Sequence, residues 1–567
     1  MKILLTAINA KYIHTNPAVR MLCRYAGQKG IKAEFTEYTI NNYVDEIVNG
    51  IYEIKPDFLG FSCYIWNIEM VEKICTLMKK LLPQVKIMLG GPEVSYNSEE
   101  VIRKIPCDFI IRGAGEKAFV QLVKSLESED FSKVSALTYM ENGEVKSNPV
   151  TEIVEMDEVP FPYESFEGME NKICYYEASR GCPFNCQYCL SSIDKCVRIA
   201  SFEKVRAELQ IFLDAKVRQV KFVDRTFNCR NSHAVEIVKF LKANDNGVTN
   251  FHFEVAPELL TDEFMNLLST ARAGLFQLEI GVQSTNEDTL KAVKRHNDFN
   301  YIAKCVERIK KPENCHCHLD LIAGLPLEDL KSFQRSFNMV HSLFPHQLQL
   351  GFLKILHGAG MEKMCGEYGI EYSPYPPYEV LKTNALSFDD VLYLKGVENM
   401  VEIYYNSNRF VNTLNFLLEY YKGDYFTFYA QLGQAAKKLP AQNTLNNKNF
   451  QYEFLIAFAK EKGFDDLKTE MLCKLDFILR ERPRSSPLWA KRCPNGFDKN
   501  DIHRLLIAEN KILPLLNESC SPKEIQGDIH VERFPQPPFN DGKCDFIFDY
   551  RKRDLYSNAK IIYLVRS

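Results

Sequence analysis

No stretch of the chain stays apolar for the roughly 18 residues that a membrane-spanning helix needs, and no long run of one charge interrupts it. The 70 lysines and arginines nearly cancel the 74 aspartates and glutamates, leaving a net charge of −4. Bulk electrostatics therefore give no footprint for nucleic acid, although a local basic face stays open. No G-x-G-x-x-G follows the first expected strand, which disfavours a nicotinamide cofactor, and no Walker-type lysine loop occurs either. A secretory leader is not expected. The apolar start Met1–Thr6 runs directly into polar Asn9, Lys11 and His14 and reads as a buried strand. The expected location is the cytosol, where disulfides are not expected. With 567 residues, 46% hydrophobic and 25% charged, the composition is that of a globular chain of three or four domains.

Cysteine, by contrast, is plentiful, at 18 residues. Most are scattered: Cys23, Cys75 and Cys107 fall on apolar faces as small core residues, and Cys473, Cys493, Cys520 and Cys544 lack cluster spacing. Cys182, Cys186 and Cys189 differ. They form a C-x3-C-x2-C set on a loop with Gly181 and Pro183. Three thiolates so close together suit an iron–sulfur cluster, which normally takes four ligands. Three leave one iron open. A structural zinc site would want a fourth nearby ligand, for which Cys174 and Cys196 are the candidates.

From Cys174 onward, strands and amphipathic helices alternate. Strands are expected near Cys174–Ala178, Gln219–Val223, Asn250–Glu254, Leu275–Ile280, His316–Leu321 and Gln347–Leu353. Helical patterns such as Phe202–Ala215, Ser232–Ala243 and Leu327–Leu343 lie between them, as in a parallel sheet with right-handed crossovers. The cysteine motif, with aromatic Tyr188 before its last cysteine, and this strand–helix series together resemble the radical S-adenosylmethionine enzymes. The resemblance implies a partial (β/α)6 barrel with its site at the strand C-termini. It implies a [4Fe–4S] cluster on Cys182, Cys186 and Cys189, the open iron chelating S-adenosylmethionine and an electron cleaving it to a 5′-deoxyadenosyl radical. It also implies roles for the strand ends. Asp224 stands in a segment placed near the amino group of S-adenosylmethionine. Glu254 and Gln283 would contact the same ligand, Glu254 at the ribose. Arg295 would pair with its carboxylate, and Gly324 would flank adenine.

Residues 1–127 repeat a strand–helix rhythm five times, with strands near Lys2–Ile8, Ala33–Tyr38, Phe58–Ser62, Lys86–Leu89 and Phe109–Arg112. This is the pattern of a doubly wound α/β domain, which binds ligands beyond its strand carboxyl ends. At those ends stand His14, Ser62, Gly90, Gly91, Gly113 and Glu116. The arrangement resembles the Rossmann-like cobalamin-binding domain that precedes many radical S-adenosylmethionine cores. The resemblance implies that Ser62 bonds the nucleotide tail and that the glycines let backbone approach tail and corrin. The D-x-H-x-x-G of histidine-ligated cobalamin domains is missing. Three readings stay open: base-off cobalamin without a histidine ligand, His14 as a cobalt ligand, and a degenerate domain that has lost cobalamin.

Residues 128–170 read as a hairpin around Asn142-Gly143 followed by an acidic, proline-bearing connector, and 171–372 as the radical barrel. Residues 373–567 read as a mostly α-helical domain with helices such as Ser387–Val401 and Asn412–Tyr421, similar to an uncharacterised C-terminal domain of one subset of these enzymes. The basic segment 480–485 reads as a solvated linker, with a phosphate or RNA contact as the alternative. The implied activity is cobalamin-dependent methylation of an unactivated carbon or phosphorus, fed by a reductase, flavodoxin or ferredoxin. The alternatives are cobalamin-assisted rearrangement or cyclisation, tRNA methylthiolation, and a non-catalytic cobalamin or redox sensor. No second three-cysteine set is present in the N-terminal domain and no small basic C-terminal β-domain is expected, which weakens methylthiolation. The substrate is not readable from the chain.

Overall fold

The computed structural model describes residues 1–440, 445–481, 487, 489–490, 493, 496–497, 501, 504–508, 512, 525, 527–538, 544–553 and 558–563. Cys520 and positions 482–485 of the basic segment lie outside the described residues. The chain divides into two compact units, Met1–Ser332 with Phe352–Phe388, and Phe333–Gly351 with Asp389–Ser567.

The first unit opens with a sheet of seven strands: β1 (Ile3–Asn9), β2 (Glu34–Thr39), β3 (Phe58–Ser62), β4 (Lys86–Gly90), β5 (Phe109–Ile111), β6 (Leu137–Glu141) and β7 (Glu144–Ser147). Their order is β2-β1-β3-β4-β5-β6-β7. The first five are parallel, which forces crossovers and covers both sheet faces with helices. All seven residues of β1 are accordingly buried, and its sequence is a near-continuous apolar run. Strand order reverses between β2 and β3 on either side of β1, so a crevice opens at the carboxyl ends of β1 and β3. The Asn142-Gly143 hairpin does not stand apart as a connector: β6 pairs antiparallel with β5 and extends the sheet.

The second sheet holds β8 (Ile173–Tyr176), β11 (Gln219–Phe222), β12 (Asn250–Val255), β13 (Phe276–Gln283), β14 (His316–Ala323) and β15 (Gln347–Phe352), in the order β15-β14-β13-β12-β11-β8. The pairs from β8 through β14 are parallel. Two short strands, β9 (Ser179–Arg180) and β10 (Arg198–Ile199), pair across the cysteine loop. Along β13 buried and half-buried residues alternate, so Gln277, Glu279, Gly281 and Gln283 share one face while Phe276, Leu278, Ile280 and Val282 pack outward against helices. This is the partial (β/α)6 barrel that the family resemblance implies.

The second unit is built on helices Phe388–Met400, Val411–Glu419, Tyr425–Ala436, Lys448–Glu461 and Asp466–Arg480. Tyr404, Tyr429 and Tyr452 are among its fully buried side chains. The Asp476 carboxylate caps helix Val411–Glu419, accepting from Asn412 N at 3.1 Å and from Thr413 N at 2.8 Å. The helical reading of this region misses one element. An antiparallel sheet of β16 (Ile529–Arg533), β17 (Asp545–Arg553) and β18 (Ala559–Tyr563) closes the described chain; two further short strands, Glu371–Tyr372 and Val380–Lys382, belong to the first unit.

Candidate functional site

Cys182, Cys186 and Cys189 line one cavity of about 180 Å³ at the carboxyl end of the barrel, together with Tyr188, Glu254, Gln283 and Arg295. The loop carrying them is laced to its own return. Cys182 N donates to Asp194 O at 3.0 Å, and Gly181 takes φ +93° against Cys196, whose carbonyl oxygen would lie 2.4 Å from any Cβ there. Only glycine fits. No fourth cysteine and no histidine is among the described residues lining the cavity. Cys174 is buried in β8 and Cys196 is exposed, and neither lines it. The donor set therefore fits a cluster held by three thiolates better than a closed four-ligand zinc site.

The strand-end residues divide. Gln283 sits at a bulge, where the register of β13 against β14 shifts between Gly281 and Gln283, and takes φ +68°. Bulges re-aim side chains beside active sites. Its Oε1 is buried with no hydrogen-bond partner, as is Nε of Arg295, so the cavity presents polar atoms that a bound ligand would satisfy. The Arg295 guanidinium otherwise donates to Gly281 O, to Tyr188 Oη at 3.4 Å and to Cys186 Sγ at 3.7 Å. Burial raises the Tyr188 phenol, against the pull of Arg295. Glu254 lies 3.8 Å from Lys221 Nζ; burial and then Glu279 push its carboxyl up.

Asp224 and Gly324 do not line this cavity. Asp224, 2% exposed, accepts from Ala178 N at 2.9 Å and Ser179 Oγ at 2.5 Å, and burial pushes its carboxyl up to about 7. It ties the second strand end to the start of the cysteine loop. Gly324, at φ +89°, packs against the Val380 side chain. Thr226, a neighbour of Asp224 that the sequence reading did not single out, reaches the cavity, with Oγ1 3.6 Å from Cys182 Sγ.

The crevice predicted at the first sheet is a cavity of about 670 Å³. His14, Ser62, Gly90, Gly91, Gly113 and Glu116 all line it. Gly91 has φ +114°, and a Cβ there would lie 2.5 Å from Cys63 O, so only glycine lets the chain after β4 pass this close to the end of β3 on the cavity wall. Ser62 Oγ accepts from Asn16 Nδ2 at 3.2 Å, and Asn16 in turn caps the helix Pro17–Gln28. His14 Nδ1 lies 2.7 Å from Tyr175 Oη of β8; burial, then Lys11 and Lys221, lower its imidazole. The Tyr64 and Trp66 rings stack at 4.5 Å on the same wall. The apolar floor, polar edge and close-approach glycines fit a large planar ligand with a polar tail.

Two arginines on the cavity walls were not singled out from the sequence. Arg225 lines both. Arg180, two residues before Cys182, reaches Glu116 at 2.6 Å and Glu177 at 2.8 Å in buried surroundings. Its Glu116 partner is 64 residues away, so no local pattern could have announced the pair.

Comparison with known proteins agrees with this geometry. Residues 3–123 match the family described as B12 binding domain, 176–340 the Radical SAM superfamily, and 366–540 a protein family of unknown function, DUF4080. The chain is 25% identical over 441 residues to 2-(S-pantetheinyl)-carbapenam-3-carboxylate methyltransferase of Streptantibioticus cattleyicolor, covering 69% of this chain and 63% of that protein. It is 26% identical over 359 residues to the cobalamin-dependent radical SAM methyltransferase TokK of Streptomyces tokunonensis, covering 59% of this chain and 52% of that protein. The chain thus spans less than two thirds of the length of either relative. The solved structure of the cobalamin-dependent S-adenosylmethionine radical enzyme OxsB with aqua-cobalamin and S-adenosylmethionine bound superimposes with a TM-score of 0.59 at 16% identity, covering 84% of this chain and 79% of that one. Among the described residues, no helix is long and apolar enough to cross a membrane. The three-cysteine cavity on the partial barrel thus falls within the segment that matches the Radical SAM superfamily, and the adjoining crevice is lined chiefly by the doubly wound sheet that matches the B12 binding domain.

Proposed function

We propose that the protein is a cobalamin-dependent radical S-adenosylmethionine enzyme that methylates an unactivated carbon or phosphorus of its substrate. The observation that carries this reading is the adjoining of the two cavities at Arg225 within one compact unit. Methyl transfer between two cofactors and a substrate needs all three within reach, and positioning is the protein's main contribution. When bound, the cluster supplies the electron that cleaves S-adenosylmethionine and cobalamin supplies a methyl-carrying cobalt.

The chain's own residues do the rest. Cys182, Cys186 and Cys189 hold the cluster. Gln283 Oε1, Arg295 and Glu254 orient S-adenosylmethionine. Asp224, instead of touching that ligand, fixes Ala178 and Ser179 and through them the cysteine loop. Ser62, Gly90, Gly91 and Gly113 cradle the cobalamin tail and ring, while Glu116 and Arg180 lock that cradle to the loop. His14, engaged by Tyr175, serves the corrin edge. The working domain borders are 1–127, 128–170, 171–372 and 373–567, and the expected setting is cytosolic, with a flavodoxin, ferredoxin or reductase as electron donor.

The test is anaerobic purification with cluster reconstitution, followed by iron, sulfide and corrin measurement and assay of 5′-deoxyadenosine from S-adenosylmethionine with dithionite. Wild type is expected to carry one cluster and one cobalamin and to form 5′-deoxyadenosine; Cys186→Ala is expected to keep cobalamin and lose both cluster and cleavage. A cluster without cobalamin removes the methylase reading. Cobalamin without S-adenosylmethionine cleavage returns the sensor.

A further inference from the structure

The inward face of the barrel strands, part of which lines the cysteine cavity, is charged, where parallel barrels usually stack branched apolar side chains. The two-residue period of the strands places Lys221 of β11, His252 and Glu254 of β12, Glu279 of β13, and His318 and Asp320 of β14 on the inward face. Neighbouring strands bring them into one group: Lys221 pairs in register with His252, and Glu254 with Glu279 and Glu279 with His318.

Three features of this group point to a cation site. The first is geometry. One ligand atom each from Glu279, His318 and Asp320 lies within 4.8 Å of the others. Ligand atoms on a tetrahedral first-row ion stand about 3.4 Å apart, given bonds of about 2.1 Å, so side-chain shifts of about an ångström would seat one. The second is unmet bonding. His318 Nε2 and Asp320 Oδ1 are 2.9 Å apart, yet both are buried and neither completes a hydrogen bond. His252 Nε2, 3.1 Å from Glu279 Oε2, is in the same condition. The His318 and His252 side chains are 6% and 8% exposed, so water does not solvate them freely. Buried polar atoms paired at short distance but without full hydrogen-bond geometry leave lone pairs open to a further partner. The third is charge. Three carboxylates, Glu254, Glu279 and Asp320, face one ammonium, Lys221, which lies 3.1 Å from Glu279 and 3.8 Å from Glu254; among the described residues no other lysine or arginine pairs with them within 4 Å. Buried charges need pairing, and a doubly charged ion supplies what is lacking.

We propose that Glu279, His318 and Asp320, with His252 beside them, form a binding site for a divalent first-row cation, separate from the cysteine cluster. Imidazole with carboxylate is the donor set of Mn²⁺, Fe²⁺ and Zn²⁺ sites, whereas the cluster uses thiolates alone. Glu279 and Asp320 also line the cysteine cavity, so the ion's remaining positions open toward the place where a substrate would sit. A substrate oxygen, as in a carboxylate, phosphate or hydroxyl, is the chemistry that would occupy them. Lys221 competes with the ion for Glu279 and leans on Glu254 when the ion is bound.

The test titrates Mn²⁺ into the full-length chain carrying its reconstituted cluster, reading free Mn²⁺ by electron paramagnetic resonance. One ion per chain is expected. His318→Gln and Asp320→Asn are each expected to weaken binding by at least about tenfold, and Cys186→Ala, without the cluster, to leave it unchanged. Lys221→Met, which removes the competing ammonium, is expected to tighten it and serves if the ligand variants do not fold. No bound Mn²⁺ in folded wild type at millimolar metal overturns the proposal. So does binding that survives His318→Gln and Asp320→Asn, binding lost in Cys186→Ala, or no tightening in Lys221→Met. None of these readouts depends on methyl transfer, so the cofactor reading stands or falls separately.

Discussion

Replacing Gly181 with alanine adds a single methyl group one residue before Cys182. The backbone there has φ +93°, and the new Cβ would lie 2.4 Å from the Cys196 carbonyl oxygen and 3.0 Å from its carbon. Two costs follow. A side chain forced into a positive-φ conformation costs about 1–3 kcal/mol. The overlap must also be relieved by moving backbone, since both the oxygen and the glycine belong to main chain, and forced overpacking of this kind costs about 1–3 kcal/mol. Gly181→Ala is therefore expected to destabilise the first unit by about 2–6 kcal/mol. Relief of the clash pulls the 181–182 segment away from the 194–196 return, to which Cys182 N is hydrogen-bonded at 3.0 Å, so the three thiolates lose their common geometry. Gly247→Ala is the control: φ is +75°, but nothing lies within 4 Å of its Cβ, leaving strain alone. Its cost should be about 1–2 kcal/mol with no loss of iron. The assay is urea unfolding with iron counted per chain after anaerobic reconstitution. If Gly181→Ala keeps wild-type iron and a wild-type midpoint, the Cys196 contact does not hold the loop and the reasoning fails.

Other variants probe the remaining parts of the site. Arg180→Met leaves Glu116 and Glu177 buried without their shared cation and is expected to cost about 3–5 kcal/mol and to lower cobalamin occupancy; unchanged corrin content at equal stability would show that the pair does not support the crevice. Gly91→Ala places a Cβ 2.5 Å from Cys63 O and should abolish cobalamin uptake while sparing the cluster, as read by the corrin spectrum against iron content. Asp224, pushed up to about 7 by burial, should keep a proton in the folded chain that an ordinary carboxyl, near pH 4, has already released. Stability from this group is then present at low pH and lost as pH rises between about 4 and 7. The stability of Asp224→Asn should lack that slope, and parallel pH profiles for the two proteins would refute the assignment.

Strands of the first sheet were legible because parallel strands covered on both faces write themselves as apolar runs, as in β1 and β3, those of the barrel because apolar and polar residues alternate, as in β13, and the cysteine triplet because its spacing is local. The crevice residues were legible for the same reason: a doubly wound sheet puts ligands at its strand ends, and all six residues chosen there line one cavity. At the barrel the same rule was too coarse. Asp224 and Gly324 stand at strand ends, yet one turns to the backbone of Ala178 and the other to Val380. Which residue of a strand-end segment faces a cavity depends on the exact loop path, and in β13 on a bulge that no composition announces. The C-terminal sheet was missed because its strands lie apart, beyond long helices whose pattern dominates the region.

By itself, then, the sequence determined what is set by near neighbours: the spacing of the three cysteines, the order of strands and helices, and the glycines where backbone must come close. Tertiary structure alone decided which distant side chains meet. Arg180 finds Glu116 across 64 residues, Arg225 stands between two cavities, and Glu279, His318 and Asp320 converge inside the barrel. The reason is physical. Secondary structure follows a periodicity written over a few residues, whereas an ion pair or a metal site is fixed by register and packing between elements, which no single segment carries.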